Sequence, residues 1–219
     1  MANDSSSILW AISTAAYLLP GLVGISRRHD LGSGLQILLL YVLLTIAANF
    51  LVTFFEIHHV GIEWIEFVWP PLQYDLLIGT YLFWIARPLI RSLFVVSIIL
   101  FSLFALVGLM IAEEIGQFNS LLRFVAAVLL VPASAYVLFV THKAVHSSSG
   151  QHPAIWAASG SLIYFGGMSI LFVISQWLSG DSFPMIHSTW MPVQSSLNII
   201  FSGLLSVAFL NARSSKFPA

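Results

Sequence analysis

Cysteine is absent from this chain, and charge is nearly so. Without a thiol there is no disulfide, no thiolate metal site and no covalent haem attachment. Only 8% of the 219 residues are Asp, Glu, Lys or Arg, against about a quarter in a soluble domain. Long polar stretches are lacking too, the most linker-like being SSSGQHP at 147–153. That leaves no room for a soluble catalytic domain, a nucleotide-binding fold or a nucleic-acid-binding module. No Lys lies within an apolar run, Lys143 and Lys216 both falling outside them, which excludes a retinal Schiff base. No His stands in the middle of a run, so no bis-histidine haem is expected, and where a membrane metal-hydrolase needs His, Asp and Ser at one depth, Asp75 has no histidine at its level. The residues imply no cofactor and no metal. No inverted repeat of the kind many transporters carry is visible.

Apolar runs make up the rest: 58% of the residues are hydrophobic and mean hydropathy is +0.94. A helix needs about 20 mostly apolar residues to cross the hydrocarbon. Seven stretches qualify, at 8–25, 35–55, 65–85, 92–112, 119–141, 154–177 and 186–210. The prediction is an all-α membrane protein, a single seven-transmembrane-helix bundle over 1–219. The first run is read as an uncleaved span, because no basic residue precedes it and Asp4 does. Connections alternate in sign: Arg27, Arg28, Arg87, Arg91, Lys143, Arg213 and Lys216 fall on one side, while Asp4, Glu56, Glu63, Glu66, Glu113, Glu114 and Asp181 fall on the other. By the positive-inside rule the N-terminus is outside and the C-terminus cytoplasmic. Trp64, Trp69, Trp84, Trp177 and Trp190 near the span ends fit interfacial anchoring.

The third run, IEFVWPPLQYDLLIGTYLFWI at 65–85, stands apart because it holds Asp75. A carboxylate at the centre of a span costs roughly 2.5–3.5 kcal/mol on insertion scales, so it faces the bundle interior with a partner or a function. Pro70 and Pro71 remove two amide donors and are expected to bend or restart that helix just outside Asp75. At about 1.5 Å rise per residue, Asn49, Gln73, Asp75, Arg123, Gln194 and Asn198 share one depth zone, from the outer half to the midplane. Two readings follow. They pair with one another and with backbone, since lipid offers no other partner; or, with Tyr74 and Trp69 as walls, they line a pocket open to the outside for a small polar or amphipathic ligand. Arg123 can reach up toward Glu66, Glu113 or Glu114, or down toward Asp75. The sixth span is rich in small residues, Ala157, Gly160, Ser161, Gly166 and Gly167, which allow close helix packing. His142 and His146 are spaced i, i+4, and Glu56, His58, His59 and His187 group at the outer side; solvated interfacial histidines account for both sets, a divalent-ion or pH-sensing role being the alternative for the outer group.

FNSLLRF at 118–124, WAASGSLIYFGG at 156–167 and SLNII at 196–200 resemble a family of uncharacterised bacterial seven-transmembrane-helix proteins, itself similar to the membrane sensor region of histidine kinases. The likeness runs from Leu35 onward, and Asp75, Asn119, Ser120, Arg123, Tyr164, Gly166, Gln194 and Asn198 match its pattern. Ala126 and Ala127 stand where an acidic residue would follow the Arg, so an Arg-to-carboxylate site does not carry over. The resemblance implies a non-enzymatic sensor or receptor-like module, or an accessory subunit, of the bacterial inner membrane. It would have the bilayer and a membrane or cytoplasmic signalling protein as partners, and a small molecule or lipid as ligand. The competing hypotheses are a small-solute or proton-coupled transporter using Asp75 and an intramembrane lipid enzyme.

Overall fold

The computed structural model describes residues 2–59, 61, 63–111, 115–144, 152–177 and 183–212. Among them every regular element is helical: α1 (Ala2–Ala16), α2 (Leu18–Ser26), a short 3-10 turn (Arg28–Asp30), α3 (Ser33–Ile57), α4 (Glu63–Leu82), α5 (Pro88–Ile111), α6 (Ile115–Ala144), α7 (Pro153–Trp177) and α8 (Phe183–Leu210). Six stretches, 8–26, 33–57, 88–110, 118–144, 153–174 and 190–210, are long and apolar enough to cross a membrane. α4 rises about 30 Å and reaches the same length, but its acidic and amide residues make it less apolar. The architecture is that of an all-helical, multi-pass membrane protein.

The first span is two pieces. Pro20 has no N–H to give the carbonyl four residues earlier, so the helix breaks after Ala16 and resumes at Leu18, with Tyr17 at the joint. The restart that is one of the two expectations at Pro70-Pro71 does not occur: α4 continues through both prolines. Packing overrides the local penalty, because Tyr74, Leu77, Ile78, Thr80 and Tyr81 on the following turns are all essentially inaccessible.

Helices consecutive in the chain run in opposite directions, as α3 with α4 and α7 with α8 show. Start of α3 meets end of α4, where Gly34 abuts Thr80, Phe83 and Trp84. α7 passes α8 with Gly160 against Phe201 and Gly167 against Leu197. Around the molecule α1 and α2 pack on α8, α2 on α3, α3 on α4, α4 on α6, α6 on α7 and α7 on α8. This is a closed ring of six walls, with the α1–α2 pair counted as one. α5 stands outside it, resting on α4, and exposes Leu89, Leu93, Ile99, Leu100, Leu103, Leu106 and Met110. In a bilayer that surface faces acyl chains.

The small-residue face of α7 is one of the close contacts of the ring. A Cβ at Gly160 would lie 2.9 Å from the Phe201 ring, whereas one at Gly166 would meet nothing within 4 Å. Only part of the expected small-residue face is therefore packing surface.

One end of the ring is filled. Leu38, Leu77, Tyr81, Ser134, Ala158, Leu205 and Phe209 are all buried there. Tyr81 and Ser134 share a buried hydroxyl–hydroxyl bond of 2.8 Å, and Arg27 donates to the Leu210 carbonyl at the end of α8 at 2.6 Å. Arg28, Arg87, Arg91 and Lys143 belong to this end by the same antiparallel order. At it, His152 precedes α7 and its Nδ1 accepts the Ala154 N–H at 3.3 Å, capping the helix start. Burial pushes the His152 imidazole pKa below its ordinary value. The unfolded chain then binds the extra proton more readily, so the cap's stability is present above about pH 6.5 and is lost as pH falls through the lowered folded value. His152→Asn keeps a capping acceptor that does not titrate. The variant's melting temperature in detergent should fall less than wild type's between pH 7 and pH 5, with the caps differing by about 1 kcal/mol at most at pH 7; equal pH profiles would show that His152 carries none of the dependence.

Candidate functional site

The other end of the ring is not filled. Between the walls lies a cavity of about 220 Å³, lined from every member of the ring and by nothing from α5. Its positions lie mostly in the first halves of the 8–26 span, α4, α6 and α8 and in the second halves of α3 and α7, as alternating helix directions require for one depth.

Five of the seven expected site residues meet here: Asn49 from α3, Gln73 from α4, Arg123 from α6, and Gln194 and Asn198 from α8. Their shared depth places them at one level, and the ring turns them to one centre. Gln73 Nε2 donates to Tyr41 Oη at 2.9 Å, Tyr17 Oη donates to Asn198 Oδ1 at 3.3 Å, and Trp190 Nε1 donates to Gln194 Oε1 at 3.0 Å. The two expectations for these groups are thus not exclusive. Amides partner neighbouring rings and line the cavity at the same time.

Asp75 and Tyr74 are elsewhere. Residues two apart on a helix lie on opposite faces, so α4 turns Gln73 into the ring and Asp75 out of it, toward α5. Asp75 Oδ2 accepts the Ser102 hydroxyl at 3.0 Å, while its Oδ1 is buried with no hydrogen-bond partner among the described residues. Tyr74 Oη donates to Ser97 at 2.9 Å, and its ring tilts against Phe101 at 4.6 Å. Asp75 therefore faces another helix rather than open lipid, but it is not a wall of the cavity and makes no ion pair with Arg123. The rim partners expected for Arg123 lie outside the described residues in the case of Glu113 and Glu114, and the side chain of Glu66 lies outside them as well.

Aromatic rings form the floor. Phe201 of α8 is the hub: Tyr164 stacks on it at 5.3 Å, Tyr41 tilts against it at 6.2 Å, and Tyr17 meets it edge-on at 6.5 Å. Trp69, expected both as a span-end anchor and as a wall of the pocket, stacks on Tyr41 at 6.2 Å and lines the cavity. Trp190 lies inward as well, edge-on to Phe172 at 5.1 Å. Sequence reasoning missed Trp10, Tyr17, Tyr41 and Thr45 as lining residues. The available signal was a tyrosine in the middle of an apolar run, since a buried phenol needs a polar partner.

No group of three or more His, Asp or Glu close enough to hold a metal occurs among the described residues. His146 and the His187 side chain lie outside them. Comparison with protein-family models, with curated proteins and with solved structures returns no match to this chain.

A double-mutant cycle separates the two polar groups. The melting shifts of Asp75→Leu and Arg123→Gln should add to within about 0.5 kcal/mol. Those of Asp75→Leu and Ser102→Ala should fall short of additive by about 0.5–1.5 kcal/mol, the usual worth of one hydrogen bond. Strong coupling between Asp75 and Arg123 would place them together and contradict the outward-facing carboxylate.

Proposed function

We propose that this protein is a seven-span, receptor-like module of the bacterial inner membrane. In this reading it binds a small amphipathic ligand in the ring cavity, reached from outside, and passes its state to a membrane or cytoplasmic signalling partner. The observation that carries the reading is the asymmetry of the ring. Six walls contribute polar and aromatic side chains to one cavity at one end, while side chains buried to within a few per cent fill the other end. A receptor needs one opening and a transporter needs a route to both faces, so the packed end supports the former. The place of Asp75 against α5 speaks the same way, because a carboxylate outside the cavity cannot carry a solute or proton through it. The resemblance noted in the sequence, to sensor regions, supports a signalling role over an enzymatic one.

The seventh span in this reading is α4. Its length suffices, and its polar residues are shielded by α3, α5 and α6, so its lower hydropathy does not keep it from crossing. The basic end of the bundle is then cytoplasmic. A tag at Ala2 should be accessible to protease in intact cells and one at Ala219 protected; the reverse pattern, or both tags on one side, would overturn the topology.

Ala48 lines the cavity and is only partly buried, so Ala48→Trp has room to fill it without breaking the core. Wild-type protein purified in mild detergent should carry a small molecule detectable by mass spectrometry after extraction, and Ala48→Trp should not. A saturating ligand at about a hundred times its Kd adds roughly 2.7 kcal/mol of stability, which the filled variant should not show on re-addition. Identical extracts from both proteins would remove the cavity as the binding site.

A further inference from the structure

The amides of α8 are turned in one sense toward the cavity. The Trp190 indole can only donate, so its bond takes the acceptor of Gln194 and leaves that amide's NH₂ to the cavity. Tyr17 does the same to Asn198, occupying Oδ1 and leaving Nδ2. Gln194 and Asn198 stand at i and i+4 on α8 and so share a face, which sets two NH₂ groups one turn apart on one wall. In the ring order α4 lies opposite α8, and there the sense is reversed: Gln73 spends an N–H on Tyr41 and keeps its acceptor oxygen. An acceptor on a ligand is therefore held at the α8 wall.

Charge, size and surface narrow the occupant. Neither Asp nor Glu lines the cavity, and Arg123, its one charged residue, already has a partner in the protein. An ion would find no open counter-charge there, and an unmatched ion this far from water is costly. The occupant is thus neutral. An apolar cavity of about 150 Å³ is known to hold benzene; about 220 Å³ has room for such a ring and a substituent of a few atoms. Trp10, Trp69, Tyr164 and Phe165 offer aromatic faces to that ring, and rings prefer offset or edge-on neighbours of this kind. Two N–H donors one turn apart suit a single oxygen with two lone pairs, as a carbonyl has.

We infer that the cavity takes a small neutral aromatic carbonyl compound about the size of acetophenone, its oxygen held between the amides of Gln194 and Asn198 and its ring against the aromatic walls. This rests on the cavity being a ligand site, as proposed above.

The test uses the full chain in neutral detergent, with acetophenone as the probe, ethylbenzene as nearly the same shape without the oxygen, and benzoate as the ion. Affinities are read from saturable rises in melting temperature. The quantity compared is the ratio of acetophenone to ethylbenzene affinity in a variant against that ratio in wild type, so that each compound's partition into detergent cancels. Gln194→Met and Asn198→Leu keep the size and remove the NH₂, and each should lower the ratio roughly three- to tenfold, the usual worth of one hydrogen bond. An unchanged ratio in a folded variant would overturn the carbonyl contact and leave the cavity standing as an apolar site. Where neither variant folds, the infrared C=O band of acetophenone decides: the difference spectrum of wild type against Ala48→Trp should show it at lower frequency than in a hydrocarbon solvent, because hydrogen-bond donors weaken the C=O bond, and a band at the hydrocarbon position would overturn the proposal. Benzoate displacing acetophenone at equal concentration would overturn the neutral ligand. If neither acetophenone nor ethylbenzene raises the melting of wild type, this inference fails, and the extraction from wild type and Ala48→Trp then decides whether the cavity reading fails with it.

Discussion

A bilayer core has no water, so every amide, hydroxyl and charge on a spanning helix must find its partner within the protein. That constraint accounts for the shape of this molecule. Apolar surface gives helices in lipid no reason to associate, and what draws them together is close packing and polar contact. Several of the described polar side chains are held accordingly: Gln73 to Tyr41 ties α4 to α3, Tyr17 to Asn198 ties the first span to α8, and Tyr81 to Ser134 ties α4 to α6. α7 joins α8 by small residues instead, the Gly160 backbone lying against Phe201. These contacts close the ring, and the cavity is the space they leave.

α4 occupies a special position for the same reason. It is less apolar than the six stretches long and apolar enough to cross a membrane, and it lies with α3 on one side, α6 on the other and α5 outside. Two prolines near its start cost it backbone hydrogen bonds, and Pro70 lies at the cavity wall. Non-ideal backbone at membrane depth is tolerated where it borders a cavity rather than lipid. α5 serves α4 in turn, covering Asp75 with Ser102 and Tyr74 with Ser97. Without α5 those two polar groups would face acyl chains.

Phe201 links the site to the filled end. It lies beneath Tyr164, Tyr41 and Tyr17 on the same helix that carries Gln194 and Asn198 above it and Leu205 and Phe209 in the core below. A displacement of the rings would be felt along α8, because close-packed interiors transmit strain rather than absorb it. In the receptor reading proposed above, α8 is the single element that joins the cavity to the basic end of the bundle.

Hydropathy and charge in the sequence determined the helical membrane class, the approximate helix bounds and the level at which polar residues gather, because those follow from length and rise alone. Depth is a one-dimensional property, readable from position along a span. Azimuth is not. Gln73 and Asp75 differ by two residues and share a level, yet α4 presents one to the cavity and the other to α5, and only its packing between α3, α5 and α6 decides which. Tertiary packing likewise carried α4 through Pro70-Pro71. It also recruited Tyr17, at a break that Pro20 imposes, and Tyr41, in the middle of an apolar run, as floor of the site. A ring of six walls with a seventh helix outside it arises from contacts between residues far apart in the chain, and no local pattern encodes them.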